Sequence, residues 1–321
     1  MGETDFEAPL LALERRIEEL AAFPGDPAKA KEAARLRAEL DAQRREVFAG
    51  LDAWQKTLVA RNPGRPYTLD YVQALFADWT EVHGDRSFGE DPALVCGLAR
   101  FRGRPVALIG HQKGRDTKQK IFRNFGMPKP EGYRKALRAM HLAEKFQLPI
   151  LCFVDTPGAY PGMDAEERGQ AEAIARNLRE MARIRTPIIV NITGEGGSGG
   201  ALAIAIGDRI NMLEHAIYSV ISPEGCASIL WRDAGKAPQA ANAMKITAAD
   251  LARFGIVDEV VAEPPGGAHR DWETQFETLA RVMEAQLGEL TGVDPEALLA
   301  ARYQKFRRMG AVGQEIVEVA N

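Results

Sequence analysis

Pro187-Ile188-Ile189-Val190-Asn191-Ile192-Thr193-Gly194-Glu195-Gly196-Gly197-Ser198-Gly199-Gly200-Ala201-Leu202 reads as a strand, a glycine turn and the start of a helix. The apolar run over 187–192 is short and nearly unbroken, the pattern of a strand covered on both faces. Five glycines then fall within the seven residues 194–200. They remove Cβ atoms and let the backbone approach a ligand closely. A helix beginning near 199 leaves its first N–H groups unpaired and pointing out of its N-terminus. Such donors hold a phosphate, or an oxyanion that develops in a reaction. Close helix–strand packing also demands glycine.

The same order of elements occurs one unit earlier. A second apolar run over 148–154 leads into Asp155-Thr156-Pro157-Gly158-Ala159-Tyr160-Pro161-Gly162 and a helix predicted over about 164–184. Residues 94–101 and 105–111 read as a hairpin turning at Arg102-Gly103-Arg104. Helices are predicted over about 131–146 and 199–207, further strands at 218–221 and 256–261, and a last helical segment from 266 past Tyr303. Alternating strands and helices predict a layered, mostly parallel α/β domain. Both glycine loops then lie beyond the carboxyl ends of strands, where ligands bind in such sheets.

Upstream, Leu10, Leu13, Ile17 and Leu20 keep helical spacing, and Pro24-Gly25-Asp26-Pro27 breaks that helix. Leu36, Leu40, Val47 and Leu51 are the candidate buried positions of a second helix over 28–60. The chain therefore divides into an N-terminal helical hairpin over 1–61 and a larger domain over 62–321, with Asn62-Pro63-Gly64-Arg65-Pro66 as the linker. At about 150 residues per domain the 321 residues suit two units, and one large α/β domain with an extension fits too. With 45% hydrophobic and 27% charged residues, whole-chain disorder is excluded. Apolar runs of about seven residues fall far short of the roughly 20 that span a bilayer, and no signal segment opens the sequence. Cys96, Cys152 and Cys226 make no CxxC pair and no zinc spacing. A cytoplasmic protein with no metal of its own is expected.

A net charge of −4 argues against a general nucleic-acid binder. Locally, Lys113, Arg115, Lys118, Lys120, Arg123, Lys129, Arg134, Lys135 and Arg138 face only Asp116 and Glu131. This stretch is either a solvated basic face or a patch that attracts a polyanion.

Three chemistries fit the loops. Asp155-Thr156-Pro157-Gly158 has the D-x-x-G form of a nucleotide switch, but the chain lacks the G-x-x-x-x-G-K-[ST] phosphate loop that this requires. Gly196-Gly197-Ser198-Gly199-Gly200 satisfies the G-x-S-x-G of a serine hydrolase. Ser198 would then attack, with His215 or His269 as base and Asp208, Glu224 or Asp250 as acid. The third reading is an oxyanion hole without a protein nucleophile. Neither loop holds a histidine, and a site rich in N–H donors and poor in bases suits thioester enolate chemistry.

Long stretches carry a resemblance: Gly110-His111-Gln112-Lys113-Gly114-Arg115-Asp116-Thr117-Lys118, Arg123-Asn124-Phe125-Gly126-Met127-Pro128, and Pro130-Glu131-Gly132-Tyr133-Arg134-Lys135-Ala136. It continues through 155–162, Glu166-Glu167-Arg168-Gly169-Gln170, 194–201, and 218–227. Pro66-Tyr67-Thr68-Leu69-Asp70-Tyr71 and Gly266-Gly267-Ala268-His269-Arg270 extend it. The chain resembles the alpha subunits of acetyl-CoA carboxylase carboxyltransferase, of the separate-subunit bacterial and plastid type. The resemblance implies a crotonase-like fold of repeated ββα units. It implies transfer of a carboxyl group from carboxybiotin, borne by a carrier protein, to acetyl-CoA, giving malonyl-CoA for fatty-acid synthesis.

The implied partners are a beta subunit in an α2β2 assembly, the biotin carboxyl carrier protein and biotin carboxylase, together an ATP-dependent complex. Zinc is expected only on the beta partner, and no cofactor is bound tightly by this chain. Gly199 and Gly200, with Gly158 and Ala159, match backbone N–H donors of an oxyanion hole, and Gly196 and Gly197 shape the approach. Lys113, Arg115, Arg123 and Arg134 become candidate contacts for CoA phosphates or an acidic partner. A biotin-dependent acyl-CoA decarboxylase subunit is the near alternative.

Overall fold

The apolar runs pair into one sheet. In the computed structural model, which describes residues 5–23 and 25–310, the strands are β1 (Phe76–Glu81), β2 (Leu94–Phe101), β3 (Arg104–His111), β4 (Ile150–Thr156), β5 (Ile188–Gly197), β6 (Arg209–Leu213), β7 (Ile217–Ser219) and β8 (Glu259–Val261). Their order is β1-β2-β3-β4-β5-β6-β8, and β7 pairs with the far end of β5. β1, β2 and β3 run antiparallel to one another, whereas the pairings from β3 through β8 are parallel. Every position of β4 is buried, as a continuous apolar strand covered on both faces requires. Phe153 meets Tyr71 and Phe76, from the helix Thr68–Leu75 and β1, with ring centroids 5.3 and 6.3 Å away.

Buried amides set the register of the sheet's second half. Asn191 on β5 lies directly opposite Asn211 on β6. Asn211 donates to Asn191 Oδ1 at 2.9 Å and exchanges bonds of 2.9 and 2.7 Å with Gln286 on the helix Trp272–Leu290. A one-residue slip would leave these amides unpaired among apolar neighbours. Farther along, the almost fully buried Arg302 donates to both oxygens of Asp208, at 2.8 and 2.7 Å. It also donates to the carbonyls of Met181, Ile184 and Thr186. Asp208 in turn accepts the Ile188 N–H at 2.8 Å. One arginine thus ties the helix Pro295–Arg308 to the start of β5.

The predicted helix over 164–184 is two helices, Met163–Glu167 and Gln170–Met181, separated at Gly169, whose φ of 81° suits glycine. The helix expected to reach 207 stops at Leu202. The last helical segment divides into Trp272–Leu290 and Pro295–Arg308. Strands β1 and β6 were not expected. Residues 311–321 and Pro24 of the helix break lie outside the described residues. No helix among the described residues is long and apolar enough to cross a membrane.

At the N-terminal end, Ala8–Ala21 and Pro27–Ala49 form the expected helix pair, burying Leu10, Ile17, Leu20, Leu36 and Leu40, with Leu13 and Val47 partly buried. The stretch 28–60 is broken after Ala49, and a third helix, Ala53–Ala60, starts from an Asp52–Gln55 capping box. Ala53 and Ala60 pack with Ile217, Ala241 and Ile246, so this helix docks on the sheet domain's own elements. The segment read as a linker is also anchored. Arg65 is 1% exposed, pairs with both oxygens of Glu263 at 2.8 and 2.7 Å, and donates to the Thr193 carbonyl.

Burial alone would raise the Glu263 carboxyl, but Arg65 outweighs it and holds the pKa at about 2, below the ordinary 4.5. A carboxylate depressed in the folded state stabilises above the unfolded value, and that contribution is lost as pH falls from about 4.5 toward 2. Glu263→Gln leaves Arg65 buried without a counter-charge, an expected loss of about 3–5 kcal/mol at neutral pH. Urea unfolding from neutral to acid pH should show the gap between variant and wild type narrowing as pH falls through 4.5. A gap that stays constant would show that the carboxylate is not coupled to folding.

Candidate functional site

Parallel pairing of β3, β4 and β5 brings three strand ends together. At two of them the backbones touch. A Cβ on Gly200 would lie 2.4 Å from the Gly158 carbonyl carbon and 2.5 Å from the Ala159 nitrogen. On Gly197 it would lie 2.2 Å from the Pro157 oxygen, on Gly194 2.4 Å from Asp155 Oδ1, and on Gly196 2.6 Å from the Tyr218 ring. Packing therefore accounts for four of the five glycines. Gly199 differs, because its Cβ would meet only Ile174, at an ordinary 3.5 Å.

The expected donors separate on this geometry. Gly199 and Gly200 occupy the first turn of the helix Ser198–Leu202, where N–H groups have no partner within the helix. Gly199 and Ala159 are half-buried, and Gly200 and Gly158 are buried. Gly158 differs from the other three. Its N–H donates to Thr156 Oγ1 at 3.1 Å, so it is already satisfied within its own turn. Thr156 is itself held by the Gly126 carbonyl at 2.7 Å. Beneath the turn sits His111, fully buried near backbone groups of Gly200 and Phe153. Burial pushes its pKa down to about 3, so it is neutral and fills space under the glycine helix.

Ser198 has φ 53°, a left-handed conformation that costs a side-chain-bearing residue about 1 kcal/mol. The strain resembles that of a nucleophile elbow, but the bases are elsewhere. The His215 ring packs on Phe48, with centroids 5.4 Å apart, and its backbone N–H donates to Glu263. His269 faces Glu7 at 3.6 Å. Both histidines serve the junction with the N-terminal helices, and among the described residues neither bonds Ser198. Ser198 instead lines a largely apolar cavity of about 560 Å³ with Leu202, Tyr218, Val220 and Phe306. Cys226 is half-buried and lines the same cavity.

The basic stretch is not a continuous cationic face. Lys113 bonds Asp155 Oδ1 at 2.7 Å and Glu195 Oε2 at 2.9 Å. Burial disfavours its charge, but those two carboxylates outweigh burial and hold its pKa above the usual lysine value. Arg115 donates to the Pro63 carbonyl at 2.7 Å, pairs with Asp70, and stacks on Tyr67 and Trp272. Arg134 bonds Asp85 at 2.7 Å and the Arg168 carbonyl at 3.0 Å. Arg123, half-buried, donates to the Pro92 carbonyl at 2.5 Å, and Lys135 is fully buried against Glu90. Lys118 remains exposed.

Arg61 and Glu195 went unnoticed in the sequence. Arg61 Nε bonds Glu195 Oε1 at 2.7 Å, and its NH1 reaches Glu224 at 2.5 Å. No local pattern links residues 134 apart. The only hint was a glutamate inside a glycine run.

A mostly parallel sheet with glycine turns at the carboxyl edge of its central strands is a crotonase-like fold. The fold matches that of a Pseudomonas malonate decarboxylase hetero-tetramer in complex with coenzyme A, with a TM-score of 0.57 and 19% identity over 71% of this chain and 89% of that one. It also matches transcarboxylase 12S with methylmalonyl-coenzyme A, with a TM-score of 0.54 and 21% identity over 69% of this chain and 42% of that longer one. The chain belongs to the family described as "Acetyl co-enzyme A carboxylase carboxyltransferase-like", whose family model matches residues 3–310. It is 59% identical over 308 residues to the acetyl-coenzyme A carboxylase carboxyl transferase subunit alpha of Geobacter metallireducens, covering 96% of this chain and 97% of that protein. It is 58% identical over 309 residues to that of Thiobacillus denitrificans, covering 96% of each.

Gly200→Ala should force the turns after β4 and β5 apart, destabilising by about 1–3 kcal/mol as overpacked cores do. Gly199→Ala meets no such obstacle, so its thermal midpoint should stay near wild type while it obstructs approach to the turn. Equal destabilisation by the two would refute the distinction between a packing glycine and an open one.

Proposed function

We infer that this chain is the alpha subunit of a biotin-dependent carboxyltransferase that moves a carboxyl group from carboxybiotin to acetyl-CoA, giving malonyl-CoA for fatty-acid biosynthesis. Family membership supports the reaction. Within the site, Gly199 carries the reading: it is a glycine that packing does not require, at a turn whose first N–H groups have no partner within the helix. With no Cβ at this position, an acyl or ureido oxygen can come close to the backbone.

The chain's share of the chemistry is electrostatic. Free N–H groups of Gly199, Gly200 and Ala159 are the donors for a developing oxyanion, and Gly196 and Gly197 keep the path narrow. Removing one such donor typically costs 10²–10³ in turnover. Carboxybiotin is a substrate carried on another protein and supplies the basic ureido nitrogen once its carboxyl group has left, so no side-chain base is required. A beta subunit, in an α2β2 assembly, completes the site and carries the zinc. The biotin carboxyl carrier protein and biotin carboxylase work with this assembly in the cytoplasm. For Lys113, Arg115 and Arg134 the internal pairing favours shaping the site over direct phosphate contact. Arg123 and the exposed Lys118 remain the side chains available to CoA or an acidic partner.

The reverse reaction tests this reading. Malonyl-CoA decarboxylation in the presence of free biotin should occur with this chain and its beta partner mixed, and with neither alone. Activity from this chain alone would place a complete site within it and return attention to Ser198.

A further inference from the structure

Four side chains from four parts of the chain meet behind the glycine turns. Asp155 ends the run that leads into Thr156-Pro157-Gly158-Ala159, and Glu195 stands inside the second glycine loop. Lys113 Nζ touches both carboxylates, and Asp155 Oδ1 also accepts the Glu195 N–H at 2.9 Å. Arg61 closes the set from the end of the helix Ala53–Ala60, reaching Glu195 on one side and Glu224 on the other. The side chains of Lys113, Asp155, Glu195 and Arg61 are 15%, 5%, 10% and 20% exposed. Two cations thus balance two carboxylates in a largely dry setting, with Glu224, 37% exposed, at the outer rim.

We propose that Arg61 and Glu195 are positioning residues of the carboxyltransferase site: with Lys113 and Asp155 they form a charge-balanced brace that holds the turns after β4 and β5 in register. The proposal rests on the reaction inferred above. A brace of this kind acts in two ways. It fixes where the Ala159 and Gly199 N–H groups point, and misplacement by about 1 Å can cost 10²-fold in rate. It also keeps the ground behind an anionic transition state neutral. Without Arg61, Lys113 must serve two carboxylates, and one uncompensated negative charge stays beside the donors. Burial disfavours the Glu195 carboxylate, but Lys113 and Arg61 outweigh it and hold its pKa below the ordinary value.

The test uses the full chain assembled with its beta partner, in wild-type form and as Arg61→Gln, Arg61→Lys, and the double variant Arg61→Gln/Glu195→Gln. Steady-state decarboxylation of malonyl-CoA with free biotin gives kcat and KM, and hydrogen exchange over 156–160 and 194–200 reads the turns directly. Arg61→Gln should lower kcat by about tenfold or more with KM changed less than about threefold, and should speed exchange in both turns. The double variant, neutral again, should recover most of both losses, and Arg61→Lys should recover part. Wild-type kcat and exchange in Arg61→Gln would overturn the proposal. So would a double variant no better than the single, because Arg61 would then act by packing alone. If Arg61→Gln does not fold, Arg61→Lys is compared with wild type by the same criteria. If the wild-type assembly fails to decarboxylate malonyl-CoA, the reaction assignment falls, and the exchange data alone decide the brace.

Discussion

Backbone-to-backbone contact between the turns that follow β4 and β5 is the constraint on which the rest of the site depends. Gly197 lies against Pro157, and Gly200 lies against Gly158 and Ala159, at separations that leave no room for a Cβ. Two peptide segments this close cannot be held by side-chain packing between them. They must be held from behind and from the flanks. Parallel pairing of β4 with β5 supplies part of this, up to the register shift between Val154 and Thr156. Past that shift Thr156 still pairs with Gly196, β7 pairs with the end of β5, and polar side chains reinforce both. Thr156 closes its own turn, and Asp155 accepts from the neighbouring strand.

Those polar side chains introduce charge into a buried place, which is unfavourable unless every charge finds its partner. Around β5 the fold meets this with arginine and lysine side chains that each join acceptors from distant segments, either carboxylates alone or carboxylates and backbone carbonyls. Arg65 joins Glu263 to the Thr193 carbonyl just before the second glycine loop. Arg302 joins Asp208 to three carbonyls at the other end of β5. Lys113 and Arg61 join Asp155 and Glu195 between the turns. Each β5-flanking element is therefore tied to a segment distant in sequence. The planar guanidinium suits this because its five donors can satisfy several acceptors at once.

How far the sequence could be read follows from the range of these interactions. β4, β5 and the β2–β3 hairpin were legible because burial on two faces, or alternation with a tight turn, leaves a local apolar pattern. β6 was missed because Arg209 and Asn211 interrupt its run, and Asn211 is accommodated only by Asn191 and Gln286 from elsewhere. The 28–60 helix was read as continuous because Ala, Glu, Lys and Arg favour helix throughout. The Asp52 capping box that starts a new helix lies in the sequence as Asp52 and Gln55, but Gln is a weak marker. The glycine turns were legible as a site, whereas the separate role of each glycine was not. That distinction depends on what faces each missing Cβ, a tertiary fact.

The basic stretch shows the limit of charge arithmetic most clearly. Nine cations against two carboxylates within 26 residues look like a polyanion site when only neighbours in sequence are counted. In space the counter-charges come from outside the window: Asp70 for Arg115, Asp85 for Arg134, Glu90 for Lys135, Asp164 for Lys129, and Asp155 with Glu195 for Lys113. A local excess of one sign therefore has two opposite structural meanings. It marks a free field where the side chains stay solvated, and a junction where they are drawn inward by carboxylates from other elements. Burial separates the two. Lys135 is fully buried and the Lys113 side chain is 15% exposed, whereas Lys118 lies open beside the exposed Ile121 and Phe122. Lys113 ties Asp155 to Glu195 beside the glycine turns, Lys135 ties its helix to Glu90 and the Asp91 carbonyl, and Lys118 is left in solvent.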